Sequence, residues 1–353
     1  MQRGLLTTWR NGWQARGVSA WVLAAVLLGA YVDLYFTSHL DGPARAFGFP
    51  NRWTLYAAVY SAAMVVGGAF AWRRHAGSLH QRVRTCVNVG VQVGLAWLLP
   101  WFMGASGGPE LYLSYFWPLS WDKLFPDTLA SVPRVAAVWM LAMSLVGAPL
   151  LARRYGKRWY CSWICGCGGL AETFGDGWRH LADPSRRAWK IERASIYTVL
   201  ASIVLLTILA WVAPLSGVPV LTTVAERGRS VYGFLVGGVF SGVLGVGLYP
   251  LMGTRVWCRF GCPMAALLGL AQKRGDFRVA VQPDLCIGCG NCTTYCEMGI
   301  DVRAYAMANQ DVRRASCVGC GACAQVCPRG VLRITSDAPG AAGRWEVDVE
   351  ALG

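Results

Sequence analysis

Eight cysteines near the C-terminus have the spacing expected of ligands to iron-sulfur clusters. They form two runs of the pattern C-x2-C-x2-C-x3-C, namely Cys286, Cys289, Cys292, Cys296 and Cys317, Cys320, Cys323, Cys327. Three thiolates on a tight glycine-containing loop can hold three irons of one cube, and the fourth ligand comes from the other run. The spacing predicts two [4Fe-4S] clusters, one on Cys286, Cys289, Cys292 and Cys327 and one on Cys317, Cys320, Cys323 and Cys296.

Two such runs in tandem are the signature of a two-cluster bacterial ferredoxin. A pair of structural zinc sites is the alternative, but zinc ribbons use cysteine pairs separated by longer gaps. Strand patterns at 277–281 and 331–334 and a helical pattern at 297–310 predict a small α+β ferredoxin-like domain over residues 275–336. One departure is that Glu297 follows Cys296, whereas Pro328 follows Cys327.

A second set of cysteines forms two C-x3-C pairs, Cys161 with Cys165 and Cys258 with Cys262. Both pairs have an arginine three positions before the first cysteine, so they form a short internal repeat. Positions i and i+4 share a face of a helix, so each pair should present two sulfurs together where a helix leaves the membrane. If the two pairs meet, four thiolates could ligate a third cluster or another metal, or form redox-active thiols. The alternative is that these are small buried residues at helix ends.

The hydrophobic composition of the chain predicts a membrane domain, and this domain would position the cysteines. The chain has 353 residues, of which 55% are hydrophobic and 15% charged. Six nearly uncharged stretches are long enough to cross about 30 Å of hydrocarbon. The predicted fold class is therefore an all-α polytopic membrane domain of about six transmembrane helices plus the small α+β domain. The predicted segments are 1–18 (N-terminal), 19–254 (transmembrane, with spans at about 19–36, 53–71, 86–103, 134–151, 195–213 and 231–252, and a loop at 152–194), 255–274 (C-x3-C-P linker), 275–336 (ferredoxin-like) and 337–353 (tail).

The Lys and Arg residues predict the orientation. With six spans, 27 of the 33 Lys and Arg residues fall on the side of the termini and 6 on the other side. The positive-inside rule therefore puts both termini and every cysteine motif in the cytoplasm. Thiols stay reduced in that compartment, which favours metal or cluster ligation over disulfides. The basic residues form no continuous arm, so the net charge of +14 does not indicate nucleic-acid binding.

From about 134 to 336 the chain resembles the membrane-bound 4Fe-4S polyferredoxins of the NapH, NosR and CcoG types. The resemblance rests on the C-x3-C-P motif Cys258, Cys262, Pro263 and on the tandem runs. The first pair matches in spacing, but Gly166 replaces the proline and Cys167 is an additional thiol. The resemblance implies electron transfer at the bacterial cytoplasmic membrane, with quinone, a cytoplasmic redox protein and other respiratory subunits as partners.

The sequence lacks the motifs for c-type haem attachment and for nucleotide binding, which narrows the range of possible functions. No C-x-x-C-H occurs for haem attachment, and no nucleotide-binding G-x-G-x-x-G or Walker A run occurs. Asp33 is the only ionisable residue inside a predicted span, and we treat it as a candidate proton or quinone site. The aromatic loop 104–133 is expected to lie in the membrane interface, as an aromatic belt or as a quinone or partner site.

Three functions fit these observations. The chain is predicted to be an electron-transfer protein rather than a standalone enzyme, linking a cytoplasmic partner to quinone or to a membrane respiratory partner. It could instead be an assembly or redox-sensing factor for a respiratory metalloenzyme. A third possibility is a cluster-carrying subunit of a larger membrane complex.

Overall fold

The computed structural model describes residues 16–107 and 112–337, and they are mostly helical. Six helices are long and apolar enough to cross a membrane, as the sequence predicts: Gly17–Phe36, Arg52–Arg74, Leu79–Ala105, Arg134–Tyr155, Arg186–Ser216 and Pro219–Gly247. We call them spans 1 to 6. Most of the predicted N-terminal segment and nearly all of the predicted tail lie outside the described residues.

The helices extend beyond the apolar stretches that predicted them, because backbone hydrogen bonding continues into polar turns. Span 5 begins at Arg186, where the Ser185 hydroxyl accepts a hydrogen bond from the Ala188 N–H at 3.1 Å. Span 6 begins at Pro219 and ends at Gly247, earlier at both ends than the predicted stretch of 231–252. The remaining residues of that stretch form a separate short helix, Tyr249–Met252.

Three of the spans contain π-helical segments, at Gly94–Leu98 in span 3, Met143–Gly147 in span 4 and Gly233–Leu244 in span 6. Such segments are often found at functional sites, because the wider turn changes the direction in which side chains point. Two of the three line cavities that are described below.

The loop between spans 3 and 4 packs against the helices of the membrane domain. Its stretch 116–125 packs among the spans, with Phe116 and Phe125 buried. The Trp117 backbone N–H donates to the Ser144 hydroxyl in span 4, and its indole N–H donates to Thr207 in span 5, both at 3.1 Å. The loop therefore folds back into the helical bundle.

Short helices and turns link the spans to the C-terminal cysteine region, which we define as residues 278–335. The remaining helices are Asp41–Ala46, Pro126–Ser131, Arg158–Cys161, Gly166–Glu172, the 3-10 helix Phe174–Leu181, Val256–Phe260, Pro263–Lys273, Asn291–Thr294, Val302–Met307 and Ala322–Gln325. Two strands, β1 (Arg278–Val281) and β2 (Leu332–Thr335), pair antiparallel with Val281 opposite Leu332. They lie where the strand patterns were predicted.

The largest of three hydrophobic core clusters among the described residues runs from the spans into the C-terminal cysteine region. It includes Ile203 of span 5, Leu268 beyond the second C-x3-C pair, and Val279 and Val312 of the cysteine region. The cysteine region is therefore packed onto the membrane domain, which brings its cysteines close to the two C-x3-C pairs.

Candidate iron-sulfur centre

The structure groups the eight cysteines of the tandem runs crosswise, into two quartets. Cys286, Cys289, Cys292 and Cys327 line one small cavity, and Cys296, Cys317, Cys320 and Cys323 line another. We call these the outer and the inner quartet. In each, three sulfurs come from one run and the fourth from the other, which is the donor set of a [4Fe-4S] cluster.

The two runs have the same backbone conformation, which explains the crosswise grouping. Glycines at equivalent places have positive φ angles, with Gly288 at 67° and Gly319 at 62°. A non-glycine residue rarely adopts this conformation, so these glycines allow the chain to wrap tightly around each cavity. The Ile300 N–H donates to the Cys296 sulfur and the Val331 N–H to the Cys327 sulfur, both at 3.4 Å. Each fourth cysteine is thus held in the same way.

The quartets differ in their exposure to solvent. Cys289 of the outer quartet is exposed, and Ile287 beside it is 62% exposed. In contrast, Cys320 of the inner quartet is buried against the membrane domain. The outer quartet can therefore be approached by a soluble partner, whereas the inner one faces the spans.

Span 3 and the first C-x3-C segment hold the loop of the inner quartet. Gln81 and Arg84 of span 3 both donate to the Cys320 carbonyl, at 2.8 and 2.6 Å. The Ser162 hydroxyl donates to the Val318 carbonyl at 2.8 Å. These side chains satisfy backbone carbonyls that would otherwise be buried without partners.

The two C-x3-C segments are a structural repeat, although each pair does not lie on one continuous helix as predicted. Cys161 ends one short helix, and Cys165 immediately precedes the next, Gly166–Glu172. Cys258 lies within Val256–Phe260, and Cys262 precedes Pro263–Lys273. The expectation of a shared helical face was therefore wrong, because a turn separates the two sulfurs of each pair.

All four of these cysteines are buried in the same hydrophobic core. Burial raises the pKa of the Cys262 thiol, and the charges of Cys258, Cys165 and Cys161 raise it further. The additional thiol, Cys167, is hydrogen bonded to Cys165; this lowers the pKa of Cys165 and raises that of Cys167. The two pairs therefore converge, with a fifth sulfur beside them.

One group of possible metal ligands among the described residues includes two carboxylates. The side chains of Glu172, Glu297 and Cys320 bring three possible ligand atoms within 4.8 Å of one another.

Sequence analysis missed a buried network of ion pairs between the cysteine segments. Glu172 accepts contacts from Arg84 at 2.6 Å, Arg179 at 2.7 Å and Arg255 at 2.9 Å. Arg255 also pairs with Glu297 at 3.0 Å. Burial opposes ionisation of Glu172, but the three guanidinium groups hold its pKa well below the usual range. The Glu172 carboxylate is thus neutralised by arginine, whereas burial raises the pKa of Glu297 despite its contact with Arg255.

The network also reaches the cysteines. Arg255 donates to the Cys161 carbonyl at 3.0 Å and lies 3.8 Å from the Cys258 sulfur. Arg179 lies 3.8 Å from the Cys320 sulfur. Charged residues within otherwise apolar cysteine segments were the only sequence sign of this network. Their presence does not reveal which of them form ion pairs.

Asp33 lies apart from the cysteine segments. Its carboxylate accepts a hydrogen bond from Thr37 and pairs with His39 at 3.0 Å. The His39 side chain is 85% exposed, so this pair lies at the end of span 1. Cys86 of span 3 is exposed and belongs to neither quartet.

Comparison with known proteins agrees with this geometry. A family model described as a 4Fe-4S dicluster domain matches residues 278–328. A second, described as a 4Fe-4S binding domain, matches residues 136–192 and 235–280, which contain the two C-x3-C segments. No solved structure matches the chain.

Two proteins of Escherichia coli (strain K12) are similar in sequence. The chain is 26% identical to the ferredoxin-type protein NapH over 68% of this chain and 81% of the relative. It is 25% identical to YccM, which is named as an electron transport protein, over 57% of each. The six spans and the cysteine runs define a multi-pass membrane iron-sulfur protein of electron transfer. More specifically, the chain is similar to the NapH-type family of membrane-bound 4Fe-4S polyferredoxins.

Proposed function

We propose that residues 275–336 form a ferredoxin-like α+β domain that binds two [4Fe-4S] clusters, one in each quartet. The observation that carries this proposal is the crosswise grouping of the eight cysteines around two cavities. Each cluster, when bound, exchanges one electron at a time. The protein supplies the four thiolates, the N–H groups that point at Cys296 and Cys327, and the apolar surroundings.

The exposure of the quartets supports a path for electron transfer that joins a soluble partner to the membrane. The outer quartet is accessible at Cys289, so a redox protein can dock there. The inner quartet is screened from water by span 3 and by the first C-x3-C segment. On this proposal the outer quartet exchanges electrons with the soluble partner, and the inner quartet exchanges them with the membrane domain.

The two C-x3-C segments would hold a third cofactor, which we propose to be a [4Fe-4S] cluster on Cys161, Cys165, Cys258 and Cys262. Its support is the burial and convergence of four thiols whose surroundings repeat. The matching 4Fe-4S binding domain model covers both segments. On this proposal, residues 255–274 link the spans to the ferredoxin-like domain and also provide ligands.

We further propose that the membrane is the bacterial cytoplasmic membrane, with both termini and the cysteine motifs on the cytoplasmic side. The excess of Lys and Arg on that side supports this orientation. The membrane-side partner would be the quinone pool or a respiratory subunit.

The test is electron transfer across the lipid surface. The protein is purified anaerobically and reconstituted in vesicles that contain menaquinone, and a water-soluble viologen reductant is added outside. We expect quinone reduction that depends on the protein and that is lost in Cys292→Ser and Cys320→Ser. Equal rates in vesicles with and without the protein would refute the proposal.

A second candidate is a thiol-redox factor in assembly of a metalloenzyme, and the additional thiol of Cys167, two residues from Cys165, favours it. Under this alternative the thiols, rather than a cluster, react with a client protein. A Cys167→Ser variant would then no longer support maturation of the client, although the variant chain would keep its own iron. On the electron-transfer proposal, the same variant keeps quinone reduction.

A further inference from the structure

The membrane domain contains a cavity of about 450 Å³ between spans 2, 3 and 6 and the loop that joins spans 3 and 4. Its wall is aromatic, with Trp53, Tyr56 and Trp97 among the lining residues, and it ends at Gly166 and Cys167 of the first C-x3-C segment. A cavity of this size and character, mostly apolar with a few polar groups, is typical of sites for small organic molecules.

Polar groups converge at the inner end of this cavity. Tyr60 donates to the Gly166 carbonyl at 2.9 Å, and both Tyr60 and Tyr115 donate to the Gln92 side-chain oxygen, at 3.3 and 3.1 Å. The Gln92 amide in turn donates to the Ile164 carbonyl. Gln92 is fully buried, so these groups form a fixed set of hydrogen-bonding partners within an apolar wall.

The replacement of proline by Gly166 makes room for this polar group. A Cβ atom at residue 166 would lie 2.7 Å from the Tyr115 hydroxyl, 2.8 Å from Gln92 and 3.0 Å from the Tyr60 hydroxyl. The equivalent position in the second segment is Pro263, which could not fit here. The departure at Gly166 is therefore explained by the cavity that adjoins it.

One hydrogen-bond donor in the cavity has no partner. The indole N–H of Trp97 is buried and makes no hydrogen bond in the part of the chain that the structure describes. A smaller adjoining cavity of about 140 Å³ shares Tyr56, Cys167 and Val246 with the first. Its lining residues include Tyr232 and Trp257, whose polar groups are likewise buried without a partner among the described residues.

We infer that the larger cavity binds the head group of a quinone or quinol, an inference that rests on the proposed electron-transfer function. A quinone is a flat apolar ring with oxygens on opposite sides, so it requires aromatic walls and separated hydrogen-bond donors. The indole N–H of Trp97 can donate to one quinone oxygen, because it has no partner among the described residues. The hydroxyl groups of Tyr60 and Tyr115 each have one hydrogen, so they can donate to the other oxygen only by releasing Gln92 or Gly166. A lipid acyl chain would fill the volume but would use none of these groups.

The position of the cavity suits the chemistry of a quinone. Reduction of a quinone to a quinol takes two electrons, one from each of two reduced [4Fe-4S] clusters, and two protons. Cys167, which lines the cavity, is two residues from Cys165 of the proposed third cluster. Asp122 and Lys123 also line the cavity and can exchange protons with it.

The test is equilibrium binding of decylubiquinone and of a short-chain menaquinone to the intact purified protein, measured as quinone retained per chain. Ala57→Phe fills the cavity, and Gln92→Leu removes its polar centre. The matched control, Ser195→Phe, fills a different apolar cavity of about 490 Å³ near Phe260 and Ile191. Asp33→Asn is a second control, because Asp33 lines neither of these two cavities.

We expect Ala57→Phe and Gln92→Leu each to weaken binding at least about tenfold, with iron content unchanged, and both controls to bind like the unaltered chain. Loss of binding in Ser195→Phe or Asp33→Asn alone would overturn the assignment of this cavity. If Gln92→Leu does not fold, Ala57→Phe and Trp97→Phe decide the question. Quinone that binds here without exchanging electrons with the clusters would refute the proposed function but not the site.

Discussion

The guanidinium group of Arg255 lies 3.0 Å from the carboxylate of Glu297, and both side chains are inaccessible to solvent. Arg255 belongs to the second C-x3-C segment, whereas Glu297 directly follows Cys296 of the inner quartet. Glu297 occupies the position at which the other run has Pro328. This departure therefore provides an ionic link between the cysteine region and the membrane-edge segment.

Removing one partner of this link should be strongly destabilising. We expect Glu297→Gln to cost about 3 kcal/mol or more, because a buried arginine then loses part of its neutralisation. Loss of visible cluster absorbance on heating measures the effect. The control is Asp127→Asn, which breaks a partly exposed pair with Arg229 and should cost about 1 kcal/mol or less. Equal melting of the two variants would show that the link has no structural role.

The fourth cysteine of each run should belong to the opposite cluster. We therefore expect Cys296→Ser to alter the EPR signal that is also lost in Cys317→Ser, and Cys327→Ser to alter the signal that is also lost in Cys286→Ser. Cys86→Ser is the control and should leave both signals intact, because Cys86 is exposed and lines neither quartet cavity. Pairing of Cys296 with Cys286 in this experiment would contradict the crosswise assignment.

The close packing of the C-x3-C segments predicts a specific effect at Gly168. A Cβ atom there would lie 1.9 Å from the Cys161 carbonyl oxygen, so Gly168→Ala must displace the backbone that carries the cysteine. We expect it to destabilise the chain by about 1–3 kcal/mol and to lower the iron content. Gly177→Ala is the matched control, since nothing lies within 4 Å of its added carbon. Normal iron in Gly168→Ala would argue against ligation by Cys161.

The proposed orientation can be tested with reporter insertions in loops. An alkaline phosphatase reporter, active only outside the cytoplasm, should be active after Gly217 and inactive after Gly77. These positions follow spans 5 and 2 and therefore lie on opposite sides of the membrane. The reverse pattern would place the cysteine motifs outside the cytoplasm and exclude a cytoplasmic redox partner.

Much of the fold followed from local sequence patterns. Hydropathy predicted six spans and cysteine spacing predicted the family, because both signals depend on residues close together in the chain. The strands at Arg278–Val281 and Leu332–Thr335 also lie where alternation of apolar residues predicted them. Helix ends such as Pro219 were less accurate, since polar turns can continue a helix without any hydropathy signal.

Contacts between distant residues could not be predicted in this way. Arg84 and Glu172 are 88 positions apart, yet they pair at 2.6 Å. The packing of stretch 116–125 against spans 4 and 5 likewise had no local signal, because aromatic residues favour both the membrane interface and a helical core. In the sequence, Gly166 and Glu297 stand out only as departures from a motif. The structural explanation of each departure depends on distant residues that the fold places beside it.

The central claim is that the cysteine motifs of this chain hold iron-sulfur clusters that carry electrons. The most direct test measures iron, zinc and acid-labile sulfide per chain, with EPR of the reduced state, in anaerobically purified protein. We expect about twelve iron atoms, falling to about eight when Cys161, Cys165, Cys258 and Cys262 are all replaced by Ser. About eight in both proteins would remove the third cluster alone. Zinc in place of iron, without labile sulfide, would contradict the account.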